Sequence, residues 1–286
     1  MMQKNLEAIV IELLRKAVTD LPKDVEAALR KAYKKEKGKI ARMQLENILK
    51  NVELARRKKI PMCQDTGLPV FFIKFGSKYA GINFEEVLEE VVKKATTKIP
   101  LRPNAVDPIT RKNSGDNTGL NMPVVHYELV NDEDFLEITV MTKGTGSENK
   151  SALGILLPTS GVEGIKNFVL ETVKKAGSDP CPPIIVGVGI GSNADGAMLL
   201  AKKALLRKLD EKNKNKKIAD LEEKLLGDIN KLGIGPMGLG GNTTALAVQI
   251  EIGATHTGSL PVAVNIQCWA DRRATAKLEN GKWNVR

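Results

Sequence analysis

The chain has 286 residues, 42% of them hydrophobic and 27% charged, an ordinary composition for a folded chain with one large core or two smaller ones. Aromatic residues make up only 4%, so the core has to be mostly aliphatic, and no run of about 18 apolar residues offers a membrane span. The net charge of +10 raises a nucleic-acid-binding protein as one reading, but the lysines are scattered among glutamates and few aromatics are available for base stacking.

A surface rich in both lysine and glutamate is also a hyperthermophile habit. Positive potential also gathers small polyanionic substrates. The three cysteines form no close pair, and the amphipathic N-terminus, with Glu7 and Glu12 among its apolar residues, is unlike a signal peptide. A reducing, cytoplasmic location without disulfides is the expectation.

Residues 1–60 read as an N-terminal helical segment. Leu6, Ile9, Val10, Leu13, Leu14 and Ala17 recur at helical spacing. Pro22 suits the first turn of a second helix, with Val25, Ala28, Leu29 and Ala32 on one face and Gly38 near its end. Leu45, Ile48, Leu49, Val52 and Ala55 mark a third. Three apolar stripes need a cover, so the segment is expected to pack on the region 61–286.

Beyond the helices, Pro61-Met62-Cys63-Gln64-Asp65-Thr66-Gly67 reads as a loop that sets a thiol, an amide and a carboxylate side by side. A strand over 69–75 and a helix over 84–97 follow. Residues 100–119 read as loop. Val124–Val130 and Phe135–Thr142 read as two strands of a hairpin turning at Asn131-Asp132. Lys143–Lys150 is a glycine-containing loop, Gly164–Lys175 a helix and Ile184–Val188 an apolar run. Helices over 196–209 and up to about residue 231 flank a charged stretch, and the last part is strand-dominated. The fold class is therefore α/β, or mixed α+β, with the helical segment packed on a mixed-sheet core.

Gly189-Ile190-Gly191-Ser192-Asn193-Ala194 spells a dinucleotide-binding turn. The next element is charged and helical, which argues against a βαβ unit and for tight turns beside a site. Of the two histidines, His126 sits in an apolar strand and reads as structural, whereas His256 lies just ahead of a turn and is the better candidate for chemistry. Cys63, Cys181 and Cys268 lie far apart in sequence, in loops or at a strand end. Spacing alone favours small buried thiols. Three thiolates also suit a [4Fe–4S] cluster with one iron left open as a Lewis acid.

The cysteine loop, Arg102-Pro103-Asn104-Ala105, Asn113-Ser114-Gly115-Asp116-Asn117, Lys143-Gly144-Thr145-Gly146-Ser147-Glu148-Asn149, Gly187–Gly196, Gly238-Leu239-Gly240-Gly241-Asn242-Thr243 and His256-Thr257-Gly258-Ser259-Leu260-Pro261 occur in one order. With these motifs the chain resembles the class I (iron–sulfur) fumarate hydratases and the related iron–sulfur tartrate dehydratases. Thr145 and Thr118-Gly119-Leu120 depart from the pattern. The resemblance implies that Cys63, Cys181 and Cys268 hold a [4Fe–4S] cluster. It implies that Gln64, Asp65, Arg102 and Gly144 contact a small dicarboxylate, with Asp65 and His256 catalytic. It further implies the alpha subunit of a hydro-lyase that hydrates fumarate reversibly to (S)-malate in the tricarboxylic acid cycle. A separate fumarate hydratase beta subunit would carry the carbon base, in an α2β2 heterotetramer. Tartrate is the alternative substrate.

Overall fold

A computed structural model describes residues 2–286. The three expected helices are α1 (Met2–Thr19), α2 (Lys23–Lys35) and α3 (Lys39–Lys58). Then come β1 (Leu68–Phe75), α4 (Phe84–Lys98), β2 (Val124–Leu129), β3 (Leu136–Lys143), the single turn α5 (Thr145–Glu148), β4 (Ala152–Leu156) and α6 (Gly161–Ala176). The chain ends with β5 (Ile184–Ser192), α7 (Ala194–Ala204), α8 (Lys216–Lys231), β6 (Ala245–Thr255), β7 (Leu260–Gln267), β8 (Arg273–Glu279) and β9 (Lys282–Val285). The fold is α/β with two mixed sheets, as the patterning predicts.

Helix boundaries follow local chemistry. The Asn83 side chain caps α4 by accepting from the Glu86 N–H, and Asn193 does the same for α7 through the Gly196 N–H. Acidic Asp24 and Glu26 open α2 and basic Lys34 and Lys35 close it, matching the helix dipole.

The chain divides into two compact units, each assembled from separated stretches. The first comprises residues 1–22, 51–144 and 272–286. Its five-stranded sheet has the order β2-β1-β3-β8-β9. Leu13 and Leu14 of α1 and Leu88 of α4 are fully buried in one cluster with Phe71, Ile73, Leu136 and Ile138 of the sheet. Each such side chain contributes roughly 1.5–3 kcal/mol of apolar burial.

The expected hairpin of the second and third strands does not form. β1 lies between them, parallel to β2 (Val70↔Val124) and antiparallel to β3 (Leu68↔Lys143). Pro69–Ile73 are buried in succession, so β1 is an interior strand that takes partners on both edges. The intervening turn instead wraps the end of β1, where the Gly76 N–H donates to the Phe135 carbonyl (2.8 Å) and the Val130 N–H to the Phe75 carbonyl (3.0 Å).

The second unit comprises residues 23–50 and 145–271. Its four-stranded sheet has the order β4-β7-β5-β6, with β5 and β6 parallel and β7 antiparallel to β5. A parallel strand does return beside β5, but through two helices. Alternate residues of β5 serve opposite faces. Ile184, Val186 and Val188 join Val169 and Val173 of α6 and Leu225 and Ile229 of α8. Gly187 and Gly189 face α7, whose backbone comes so near that a Cβ at Gly189 would stand 2.0 Å from the Ala197 carbonyl oxygen. The glycines of the nucleotide-like motif thus serve close helix–sheet packing. β4 is a short edge strand with Leu153 and Ile155 exposed, at 42% and 58%. No described helix is long and apolar enough to cross a membrane.

Gly189→Ala forces its methyl into α7 backbone and is expected to destabilise the fold by about 3 kcal/mol. A lowered denaturant midpoint with an unchanged slope checks it.

Candidate active site

Cys63 is presented by a loop pinned on both flanks. α3 ends in a left-handed residue, Lys59 (φ 54°), and the Ile60 N–H reaches back to the Ala55 carbonyl (3.1 Å), closing the helix with a Schellman-type bond. The buried Met62 then donates its N–H to the Val18 carbonyl (3.1 Å), and its own carbonyl accepts from Asn51 Nδ2 (2.7 Å). Beyond these anchors Cys63 is half-buried and Gln64 exposed.

Asp65 Oδ1 accepts the Gly67 N–H (2.9 Å) and lies 3.4 Å from Asn104 Nδ2. A turn of this type locks the carboxylate against its own backbone. The next side chain, Thr66, is buried and accepts the Arg102 N–H at Oγ1 (3.0 Å). That bond ties the Arg102 loop to the cysteine loop.

Asn117 secures the Arg102 loop from the other side. It is wholly buried with φ 63°, a left-handed conformation that asparagine tolerates better than most residues. Its Oδ1 accepts the Asn104 N–H (2.7 Å), and its Nδ2 donates to the Arg102 carbonyl and to Thr96 Oγ1 (both 3.1 Å). Arg102 is therefore held through its backbone while its guanidinium stays exposed. Gly144 is buried at the end of β3, where a Cβ would stand 3.1 Å from Asp65 Oδ2. The buried Arg272, just ahead of β8, donates from Nη1 to the Asp65 carbonyl. The first unit thus gathers Cys63, Gln64, Asp65, Arg102 and Gly144 at one end of its sheet.

In the second unit, Cys181 precedes β5 and Cys268 follows β7. Because these strands are antiparallel, with Ile185 opposite Gln267, the two cysteines share one end of the sheet. The Trp269 N–H donates to the Cys181 carbonyl (3.3 Å), and the Met237 N–H donates to the Pro182 carbonyl (2.8 Å), bringing the glycine-rich loop against the same turn. Cys181 holds φ 54°, a strained conformation for a residue with a side chain and one that accumulates at functional sites.

His256 stands at the other end. β5 and β6 run parallel over nine residues of β5, from Ile184↔Ala245 to Ser192↔Thr255, which separates His256 from the cysteine pair by roughly 25 Å. The ring is exposed and its Nδ1 accepts the Gly258 N–H (3.1 Å). The proton of the neutral ring is accordingly assigned to Nε2. His126 stacks on Phe72 with ring centroids 4.9 Å apart, in keeping with a structural part.

None of the three cysteines is in a disulfide, and each is half-buried. Among the described residues no group of three or more His, Cys, Asp or Glu side chains is gathered as a metal site. The donor set nonetheless fits an iron–sulfur cluster chemically, since such clusters are held by cysteine thiolates. Asn117 and Arg272 are what sequence reasoning missed as parts of the framework around Asp65. Their polar types signal exposure, and only the three-dimensional register buries them.

Residues 7–277 match the family model described as fumarate hydratase (Fumerase). The chain is 52% identical over 279 residues to the "Putative L(+)-tartrate dehydratase subunit alpha" of Methanocaldococcus jannaschii, covering 96% of this chain and 98% of that protein. It is 36% identical over 272 residues to the L(+)-tartrate dehydratase subunit alpha of Escherichia coli K12, covering 95% and 90% of the two chains.

Asn117→Ala removes three hydrogen bonds and puts alanine in a left-handed conformation. The expected loss is about 3 kcal/mol of stability, measured by urea unfolding.

Proposed function

The chain belongs to the fumarate hydratase (Fumerase) family, and from that membership we propose that it is the alpha subunit of a hydro-lyase that adds water reversibly to fumarate to give (S)-malate. The observation that carries the reading is the cysteine loop. Anchored at Met62 and Thr66, it offers a thiol, an amide and a carboxylate in succession, with an exposed guanidinium tied to the same loop.

Two obstacles define the reaction. In the malate direction hydroxide is a poor leaving group, and the hydrogen on the neighbouring carbon is weakly acidic. Cys63, Cys181 and Cys268 would hold a [4Fe–4S] cluster, which when bound supplies Lewis-acid chemistry toward hydroxyl and carboxylate oxygens. Arg102 grips a substrate carboxylate with its planar fork and takes up charge as the adjacent carbon turns carbanionic. The Gln64 amide orients the same substrate. Asp65 moves the proton at the oxygen that leaves as water. The carbon base is assigned to a separate beta subunit, in keeping with the "subunit alpha" in the relatives' names.

His256 is the second proton-transfer group. Its distance from Cys181 and Cys268 within one sheet makes a second copy of the chain, in an α2β2 assembly, the natural place for it to act. L(+)-tartrate dehydration is the second reading, and the relatives' names favour it. The chemistry is the same elimination, with a second hydroxyl on the substrate.

Anaerobic reconstitution with the beta subunit tests these assignments together. Iron and sulfide should incorporate, a spin signal should change on adding malate, and Cys181→Ser should lose the broad visible absorption; full absorption in that variant removes Cys181 from the ligand set. Asp65→Asn should lower kcat by about 10³-fold. Substantial turnover by this chain alone contradicts the two-subunit reading. The ratio of kcat/KM for malate to that for tartrate decides the substrate. Mixing Asp65→Asn with His256→Asn chains should restore part of the activity if His256 serves a second copy.

A further inference from the structure

We propose that Arg272 is a positioning residue for the elimination chemistry proposed above, holding Asp65 in the geometry its proton transfer needs. The Arg272 backbone continues the β3–β8 ladder, its carbonyl accepting the Thr142 N–H (3.1 Å). From there the side chain runs inward and is 2% exposed. Nη1 donates to the main-chain carbonyl of Asp65. Nη2 lies 3.0 Å from the point where a Gly144 Cβ would stand, and Asp65 Oδ2 lies 3.1 Å from that same point. Guanidinium and carboxylate thus flank a position where a methyl group would press on both. Oδ1 accepts the Gly67 N–H and lies near Asn104, so the peptide and the carboxylate of Asp65 each have a partner.

Stability gives little reason for this arrangement. A guanidinium keeps its charge on burial, and among the described residues the buried Nε of Arg272 has no hydrogen-bond partner. An apolar side chain of similar volume commonly serves a core as well or better. What the arginine adds is a rigid fork whose Nη1 holds the Asp65 carbonyl while Nη2 lies beside the same Gly144 position that Asp65 Oδ2 borders. A proton-transfer group displaced by about 1 Å can cost 10²-fold in rate.

The inference rests on the assignment of Asp65 to proton transfer, and the test separates the two. Arg272→Lys keeps the charge and loses the fork. In the reconstituted complex it should lower kcat about 10²-fold with KM little changed, and in an Asp65→Asn background it should have no further effect. Amide hydrogen exchange over residues 62–68 should quicken in the same variant. If Arg272→Lys does not fold, Gly144→Ala, whose methyl presses on both Nη2 and Oδ2, should lower kcat and likewise be silent in the Asp65→Asn background. A kcat lowered by Asp65→Asn but unmoved by Arg272→Lys, or losses that simply multiply in the double variant, overturns the role of Arg272. A kcat unmoved by Asp65→Asn overturns the assignment of Asp65 and this role with it.

Discussion

Strand register is the constraint on which the candidate site in the first unit depends. Leu68 at the start of β1 faces Lys143 at the end of β3, and Met141 of β3 faces Arg273 at the start of β8. Three stretches far apart in sequence therefore end together. They are the loop that carries Cys63 to Asp65, the Gly144 turn, and Arg272. A one-residue slip in any of the three strands would turn every side chain to the opposite face. The fully buried Phe71, Ile73, Ile138 and Ala276 make such a slip prohibitive, so apolar packing in the middle of the sheet fixes polar geometry at its end.

The second unit uses the same logic. Antiparallel β5 and β7 bring Cys181 and Cys268 to a common end, and main-chain hydrogen bonds finish the placement. In both units the reactive groups sit on short loops whose backbones are tied down while their side chains stay at least partly accessible. That combination suits the proposed site, which would admit a small, charged substrate and hold it in one orientation.

What the sequence made legible divides along physical lines. The helices α1, α2 and α3 announced themselves through apolar stripes that reach the core almost residue for residue, from Leu6 to Ala17 and from Leu45 to Ala55. Strand existence was readable, but strand partnership was not. Alternation in β2 and β3 says which residues face inward and nothing about which neighbour they take, so β1 between them could not be foreseen. β4 escaped notice because it is five residues long and leaves two of its apolar side chains in solvent. Among the candidate site residues, Cys63, Gln64, Asp65, Arg102 and Gly144 were recognisable as parts of motifs, and all five lie in the first unit. Asn117 lay inside a recognised motif and Arg272 outside any, but the interior position of neither was legible, since nothing local marks a polar residue as buried.

The close seat of α7 on β5 has a consequence for how this chain can vary over time. Gly187 and Gly189 meet α7 backbone, and α7 answers with Ala197 and Ala201, both wholly buried. Neither partner has slack to absorb a larger neighbour, because the nearest atoms are main chain rather than flexible tips. Drift at either surface is therefore coupled, and among related chains these four positions should stay small together or enlarge only where the helix has lifted away from the strand.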